Sequence, residues 1–139
     1  MKQISAFIEN SKGSLSCITN LFKESGIDIK AMTLADTAEY GILRMIVSDS
    51  AKALDTLKSN GVIASITDVT VVSIENEIGG LGAVLSLFDR ENINIEYMYA
   101  FEAITKSGAF AVFRFEDGVR GREVLKANGI DHISEVDLR

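Results

Sequence analysis

Apolar and polar residues alternate through "QISAFIE" and "VTVVSIE", and that period of two predicts a β-strand in each. The period then lengthens. Leu15, Ile18, Leu21 and Phe22 recur at helical spacing, as do Leu81, Val84, Leu85 and Phe88. Gly26 and Asn92 stand where a helix needs a left-handed residue just past its end, so both predicted helices stop there.

Two more strands follow each helix. "IDIKAMTL" and "INIEYMYAF" alternate, and in the second of them Ile95, Tyr97, Tyr99 and Phe101 are expected on one face. "GILRMIV" and "GAFAVFRF" come after short polar turns, which predicts a hairpin in each half. A further helix carries Ala51, Leu54 and Leu57, or Val119, Val124 and Leu125, and ends at Asn60-Gly61 or Asn128-Gly129. A last strand around Val62–Ile66, or Ile133–Leu138, closes each half.

The two halves are copies. Placing residues 8–32 over 74–98, an offset of 66, makes ten of 25 positions identical, beginning with "IEN" in both. "LKSNGV" and "LKANGI" match at an offset of 68, so the second copy holds a two-residue insertion, expected near "ITKSG". Internal duplication fixes the organisation before any finer reading. The expected domains are 1–67 and 68–139. Each reads β-α-β-β-α-β, which is the ferredoxin-like plan in the α+β class. A core of that size is marginal alone. The expected fold is therefore two such modules pairing side by side into a continuous antiparallel sheet with helices on one face.

Composition narrows the function. The net charge is −6 and the sequence pI about 4.8, without the Lys/Arg clusters on which nucleic-acid binding rests. The apolar runs are too short to span a membrane, and Met1 leads into a strand with no signal-peptide core. The single cysteine, Cys17, has no disulfide partner in the chain. These features predict a cytoplasmic protein with no membrane and no nucleic-acid partner.

The chemistry concentrates in "NSKGSL" and "NEIGGL", between the first strand and first helix of each copy. A helix begins there, with unpaired backbone N–H groups and the positive end of its dipole. A carboxylate suits that place, and Gly79, Gly80 and Gly82 let it approach the backbone of copy two. The same residues also suit plain turn-making: Gly13 and Gly79 permit a tight turn, Asn10 and Asn76 close it, and Ser14 serves as an N-cap.

The arrangement "IEN-x-x-G-x-L … LF … (G/N)-I-(D/N)-I" resembles the signature of the ACT domain, a small regulatory amino-acid-binding module. Its wording is similar to the regulatory, serine-sensing domain of phosphoglycerate dehydrogenase and to the regulatory subunit of acetohydroxyacid synthase. The resemblance covers nearly the whole chain twice and implies a stand-alone tandem of ACT modules, regulatory and not an enzyme. In that family, modules pair through their second strands, and a ligand sits where the strand-to-helix loop of one meets the second strand of the other. Carried over, one site joins Asn10, Ser11, Gly13, Ser14 and Leu15 to Asn94; its mate joins Asn76, Ile78, Gly79, Gly80 and Leu81 to Asp28. Helix amides would hold the ligand carboxylate and the Asn carbonyls its ammonium. Asp28 carries a charge that Asn94 lacks, so the two sites are not equivalent.

This sequence departs from the family in three ways. Lys12 and Ile78 stand where proline is frequent, Ile8 and Ile74 stand where the serine sensor has histidine, and the loops read "SKGS" against "EIGG". The apolar lining leans toward a hydrophobic or mid-sized amino acid. The resemblance implies a partner enzyme of amino-acid metabolism and a homodimer. The alternative is an adaptor that assembles through its open sheet face and binds nothing small. No cofactor or metal is implied: Cys17 has no accompanying histidine and reads as a packed small residue, and His132 has no ligand cluster. Glu9 and Glu75 read as solvated strand ends, and Arg44 and Arg114 as open-face residues suited to an interface.

Overall fold

The computed structural model describes residues 1–36, 39–75, 77–102 and 108–134. The chain divides into two compact units, Lys2–Thr67 and Asp68–Arg139, with Met1 joined to the latter. They are called module 1 and module 2 below. Module 1 runs β1 (Lys2–Glu9), α1 (Ser14–Glu24), β2 (Ile29–Asp36), β3 (Tyr40–Val47), α2 (Ser50–Ser59) and β4 (Ile63–Asp68). Module 2 runs β5 (Thr70–Ile74), α3 (Gly80–Arg90), β6 (Ile95–Glu102), β7 (Ala109–Phe115), α4 (Gly118–Ala127) and β8 (His132–Ile133). Its last strand was expected to reach Leu138; residues 135–139 lie outside the described residues, as does most of "ITKSG".

Each module builds its own four-stranded sheet, ordered β2-β3-β1-β4 and β6-β7-β5-β8. The ladders of β3 with β1 and β2, and of β7 with β5, β6, are antiparallel. Ile4 opposes Met45 and Ala6 opposes Leu43, so these four side chains share a face. Onto it α1 brings Ile18 and Phe22, and α2 brings Ala53 and Leu57. Both helices therefore cover the same side of the sheet. Module 2 repeats the plan with larger rings: Phe88 of α3 meets Phe113 and Phe115 of β7 edge to face, at centroid distances of 5.2 and 5.0 Å. That geometry suits the opposed charges of ring edge and ring face.

The helix ends follow the sequence. Asn92 adopts a left-handed φ of 53°, and Gly26 one of 65°, each just past its helix. Asp49 and Asp117 cap α2 and α4 with their carboxylates.

Two details differ from simple periodicity. The alternation in β6 was expected to put Ile95 with the tyrosines. Instead the register shifts between Ile95 and Tyr97, and Ile95 packs with Met98 against the helix-side core. Tyr97, Tyr99 and Phe101 oppose Arg114, Val112 and Phe110 on the other face. A β-bulge adds one residue and inverts the facing of everything before it; β2 has the same shift between Ile29 and Ala31. The second helices also face differently. Ala51 and Val119 are exposed, and the buried positions two residues on are Ala53 and Gly121.

Candidate functional site

Both strand-to-helix loops are shaped by one backbone conformation. Gly13 has φ 85° and Gly79 φ 93°, a left-handed region that side chains disfavour, and each stands immediately before its helix. In module 1 the Ser11 N–H donates to the Glu9 carbonyl at 2.9 Å and the Ser14 N–H to the Ser11 carbonyl at 3.3 Å. In module 2 the Gly80 N–H donates to the Glu77 carbonyl at 3.1 Å. The turn thus consumes the first helical amide. The amides of Cys17 and Ala83 enter the ordinary ladder, on Gly13 and Gly79.

Two amides per helix are left over. The N–H groups of Leu15 and Ser16, and of Leu81 and Gly82, have no partner among the described residues. Neither helix has a side-chain cap. Ser14, expected as an N-cap, is instead the first helical residue, and its hydroxyl lies 2.7 Å from that of Ser11. Gly13 takes the cap position because the turn needs its left-handed φ. The amides remain available, at the positive end of the helix dipole, to an external acceptor.

The glycines of "EIGG" have separate reasons. A Cβ on Gly80 would collide with the backbone carbonyl of Glu75, so glycine there serves the close approach of α3 to the end of β5. A Cβ on Gly79 or Gly82 would meet nothing within 4 Å. The space at those two positions is open.

The remaining candidate residues lie elsewhere in their modules. Asn10 follows β1 and donates its backbone N–H to the Glu39 carbonyl at 3.1 Å, beside the start of β3. Asp28 precedes β2 and its carbonyl accepts from the Ser48 N–H at 2.9 Å, just beyond the far end of β3. Asp28 is thus separated from the loop of its own module by the length of that strand. Asn94 stands likewise beside Glu116, which donates its N–H to the Asn94 carbonyl at 3.1 Å. Hence Asn10, Ser11, Gly13, Ser14 and Leu15 form one loop; Ile78, Gly79, Gly80 and Leu81 form another; Asp28 and Asn94 sit at opposite sheet ends from these. Asn76 lies outside the described residues.

The second-strand positions differ in charge, as the sequence predicts, and the structure adds the partners. The Asp28 carboxylate pairs with the Lys30 ammonium at 2.7 Å. The Asn94 side-chain amide donates to the Glu116 carboxylate at 3.0 Å. In module 1 the hydroxyl of Ser48 replaces that carboxylate and accepts from the Asp28 N–H at 3.0 Å. An acid thus stands on β2 side of the pair in one module and on the β7 side in the other. Arg114, expected on the open face, lies there opposite Tyr97 and bonds within module 2 to Glu96 at 3.1 Å and to the Asp68 carbonyl at 3.0 Å.

Module 2 also has a cleft of about 560 Å³ beside its loop. Ile78, Gly79 and Gly80 line one side, and Gly129, Ile130 and Asp131 of the α4–β8 turn line the other. Sequence reasoning missed this second side. The signal was available: in the β-α-β-β-α-β order, the last helix ends at the sheet end where the first helix begins, so "NGI" had to approach "EIGG".

The family model of the ACT domain pair matches residues 1–139. The chain belongs to the ACT domain pair family. A protein of this fold from Bacteroides thetaiotaomicron, BT0572, is 39% identical, with 99% of this chain and 94% of that one covered and a TM-score of 0.91. The regulatory subunit of aspartate kinase from Thermus thermophilus, in its ligand-free form, shares the fold of this ACT pair at 16% identity and a TM-score of 0.68, over 92% and 90% of the two chains. The corresponding subunit from Thermus flavus aligns over 91% and 88% at 18% identity, with a TM-score of 0.64. No curated protein matches the sequence. The ACT pair is a regulatory architecture. Among its described residues no group of three or more His, Cys, Asp or Glu is placed to hold a metal ion, and no helix is long and apolar enough to cross a membrane.

Proposed function

We propose that this ACT pair is a regulatory protein that senses an amino acid at its strand-to-helix loops and modulates a partner enzyme of amino-acid metabolism. The observation that carries the reading is the recurrence, in both modules, of a left-handed glycine opening a helix whose second and third amides are unpartnered among the described residues. Those amides suit the α-carboxylate. The side-chain carbonyls of Asn10 and Asn76 suit the α-ammonium. Completion of each loop by the second strand of a pairing module adds Asn94 in one case and Asp28 in the other. With its side-chain NH2 donating to Glu116, Asn94 offers its oxygen to a cation. The protein acts in the cytoplasm as a homodimer.

Thermal unfolding against each of the twenty amino acids at millimolar concentration tests this. A ligand that binds only the folded state raises stability by about 2.7 kcal/mol at a hundredfold excess over its Kd. The expected result is a rise in Tm with one amino acid or a related few, lost in Asn10→Ala or Asn76→Ala. Unchanged Tm throughout, with retained ligand excluded by mass spectrometry, would favour an adaptor. That second reading draws on module 1, where Phe7, Leu34 and Tyr40 are 48%, 47% and 53% exposed.

A further inference from the structure

The duplication supplies an internal comparison for the cleft of module 2. Ser73, Gly80, Ala83 and Val84 line it. At the same places in the repeat, module 1 carries Phe7, Ser14, Cys17 and Ile18, each of them larger. Ile74, Ile78 and Ile130 give the cleft apolar walls. Glu75, Glu77 and Asp131 also line it, and among the described residues the lining includes no lysine or arginine. None of these three carboxylates is ion-paired among the described residues. The equivalent residues in module 1 are Glu9, Ser11 and Ile63, and Lys12 replaces Ile78. The charge is therefore three negatives in module 2 against one negative and one positive in module 1.

A partly enclosed cleft with low-dielectric walls strengthens the field of the charges around it. Three unpaired carboxylates repel an anion and attract a cation. The isoleucines between them ask for methylene groups. We propose that this cleft is the side-chain pocket of module 2, and that it selects an amino acid whose side chain has an aliphatic stem and a cationic tip. This rests on the amino-acid-binding reading above and narrows it. It also sharpens the apolar lean of the sequence: the stem is apolar, and the end is charged. Module 1, with larger residues and a balanced rim, lacks that selectivity.

Isothermal titration of the full chain with lysine, ornithine, leucine and glutamate tests the inference. Lysine and ornithine are expected to bind about tenfold more tightly than leucine, the yield of two or three exposed attractions. Glutamate is expected not to bind. The double variant Glu77→Gln/Asp131→Asn alters exposed side chains only, leaves Glu75 as the one carboxylate, and should remove most of the preference for lysine over leucine. Ala83→Leu, which fills the cleft from an exposed helical position, should weaken lysine binding. Leucine or glutamate binding as tightly as lysine, or a lysine preference undiminished in the double variant, would overturn the pocket and leave the amino-acid reading standing. Binding of none of the twenty amino acids would remove both.

Discussion

The backbone carbonyl of Glu75 occupies the space that a side chain on Gly80 would need. The first turn of α3 therefore presses on the end of β5, and the loop between them is tight because residue 80 has no Cβ. Gly82, two residues on, faces open space. Gly80→Ala is expected to destabilise the protein by about 1–3 kcal/mol through overpacking. Gly82→Ala is expected to stabilise it by about 0.5–1 kcal/mol through helix propensity. Urea unfolding of the two variants checks the opposite signs. A stabilising Gly80→Ala would show that the loop yields freely, contrary to the packing described.

The four helices among the described residues begin in two ways, and their stabilities should respond accordingly. Asp117 accepts from the amides of Val119 and Arg120 at 3.1 and 3.0 Å, and Asp49 from that of Lys52 at 3.0 Å. Replacing either aspartate by alanine should cost about 1 kcal/mol. Ser14→Ala should stay within about 0.5 kcal/mol, because α1 starts on a glycine and has no side-chain cap. Equilibrium denaturation distinguishes these outcomes. A cost for Ser14→Ala as large as for Asp117→Ala would mean that the Ser11–Ser14 hydroxyl contact acts as a cap.

The architecture was legible because two copies of one pattern had to fold alike. The periods of "QISAFIE" and of Leu15 to Phe22 name their elements unaided, and Asn60-Gly61 and Asn128-Gly129 end the helices they were expected to end. What alternation could not show is a bulge. Ile95 and Tyr97 are two apart, and only the register against β7 reveals that they face opposite ways. Helix periodicity failed at Gly121 for another reason. A residue with no side chain carries no hydropathy signal, so Val119 drew the reading although it is 60% exposed. At the candidate site the loops and their glycines were visible in the sequence. Asp131 was not visible to local periodicity, because it approaches the loop only through the path of α4, which the element order alone implies.

Cys17 was expected to be packed, yet it is exposed. Ile18, next to it, fills the core position of that turn. A thiol-directed reagent such as DTNB is accordingly expected to modify one cysteine in the folded protein, at a rate within about tenfold of a free thiol at the same pH. Cys17→Ser should change stability by less than about 0.5 kcal/mol. Reaction only upon addition of denaturant would place the sulfur inside the core after all.

Phe115 lies directly against Gly121, and at the same places in the repeat module 1 carries Val47 and Ala53. In module 2 a Cβ on Gly121 would stand 2.7 Å from Cε2 of the Phe115 ring, too close for any real contact. Phe115 is also stacked on Phe113, with centroids 5.6 Å apart, and meets Phe88, so its ring cannot easily withdraw. In module 1 the equivalent strand residue is the smaller Val47, and the helix residue Ala53 is fully buried. The two modules thus solve one packing problem with opposite divisions of volume. Gly121→Ala alone should cost about 1–3 kcal/mol, since strain outweighs the gain in helix propensity. Phe115→Val alone should cost about 2–4 kcal/mol through the cavity it leaves. Together they recreate the module 1 pair, and the double variant should be more stable than the sum of the single costs by about 1–2 kcal/mol. A double-mutant cycle by chemical denaturation measures this coupling directly. Strict additivity would mean that the helix moves off the sheet to admit the methyl, and that the ring does not set the position of α4.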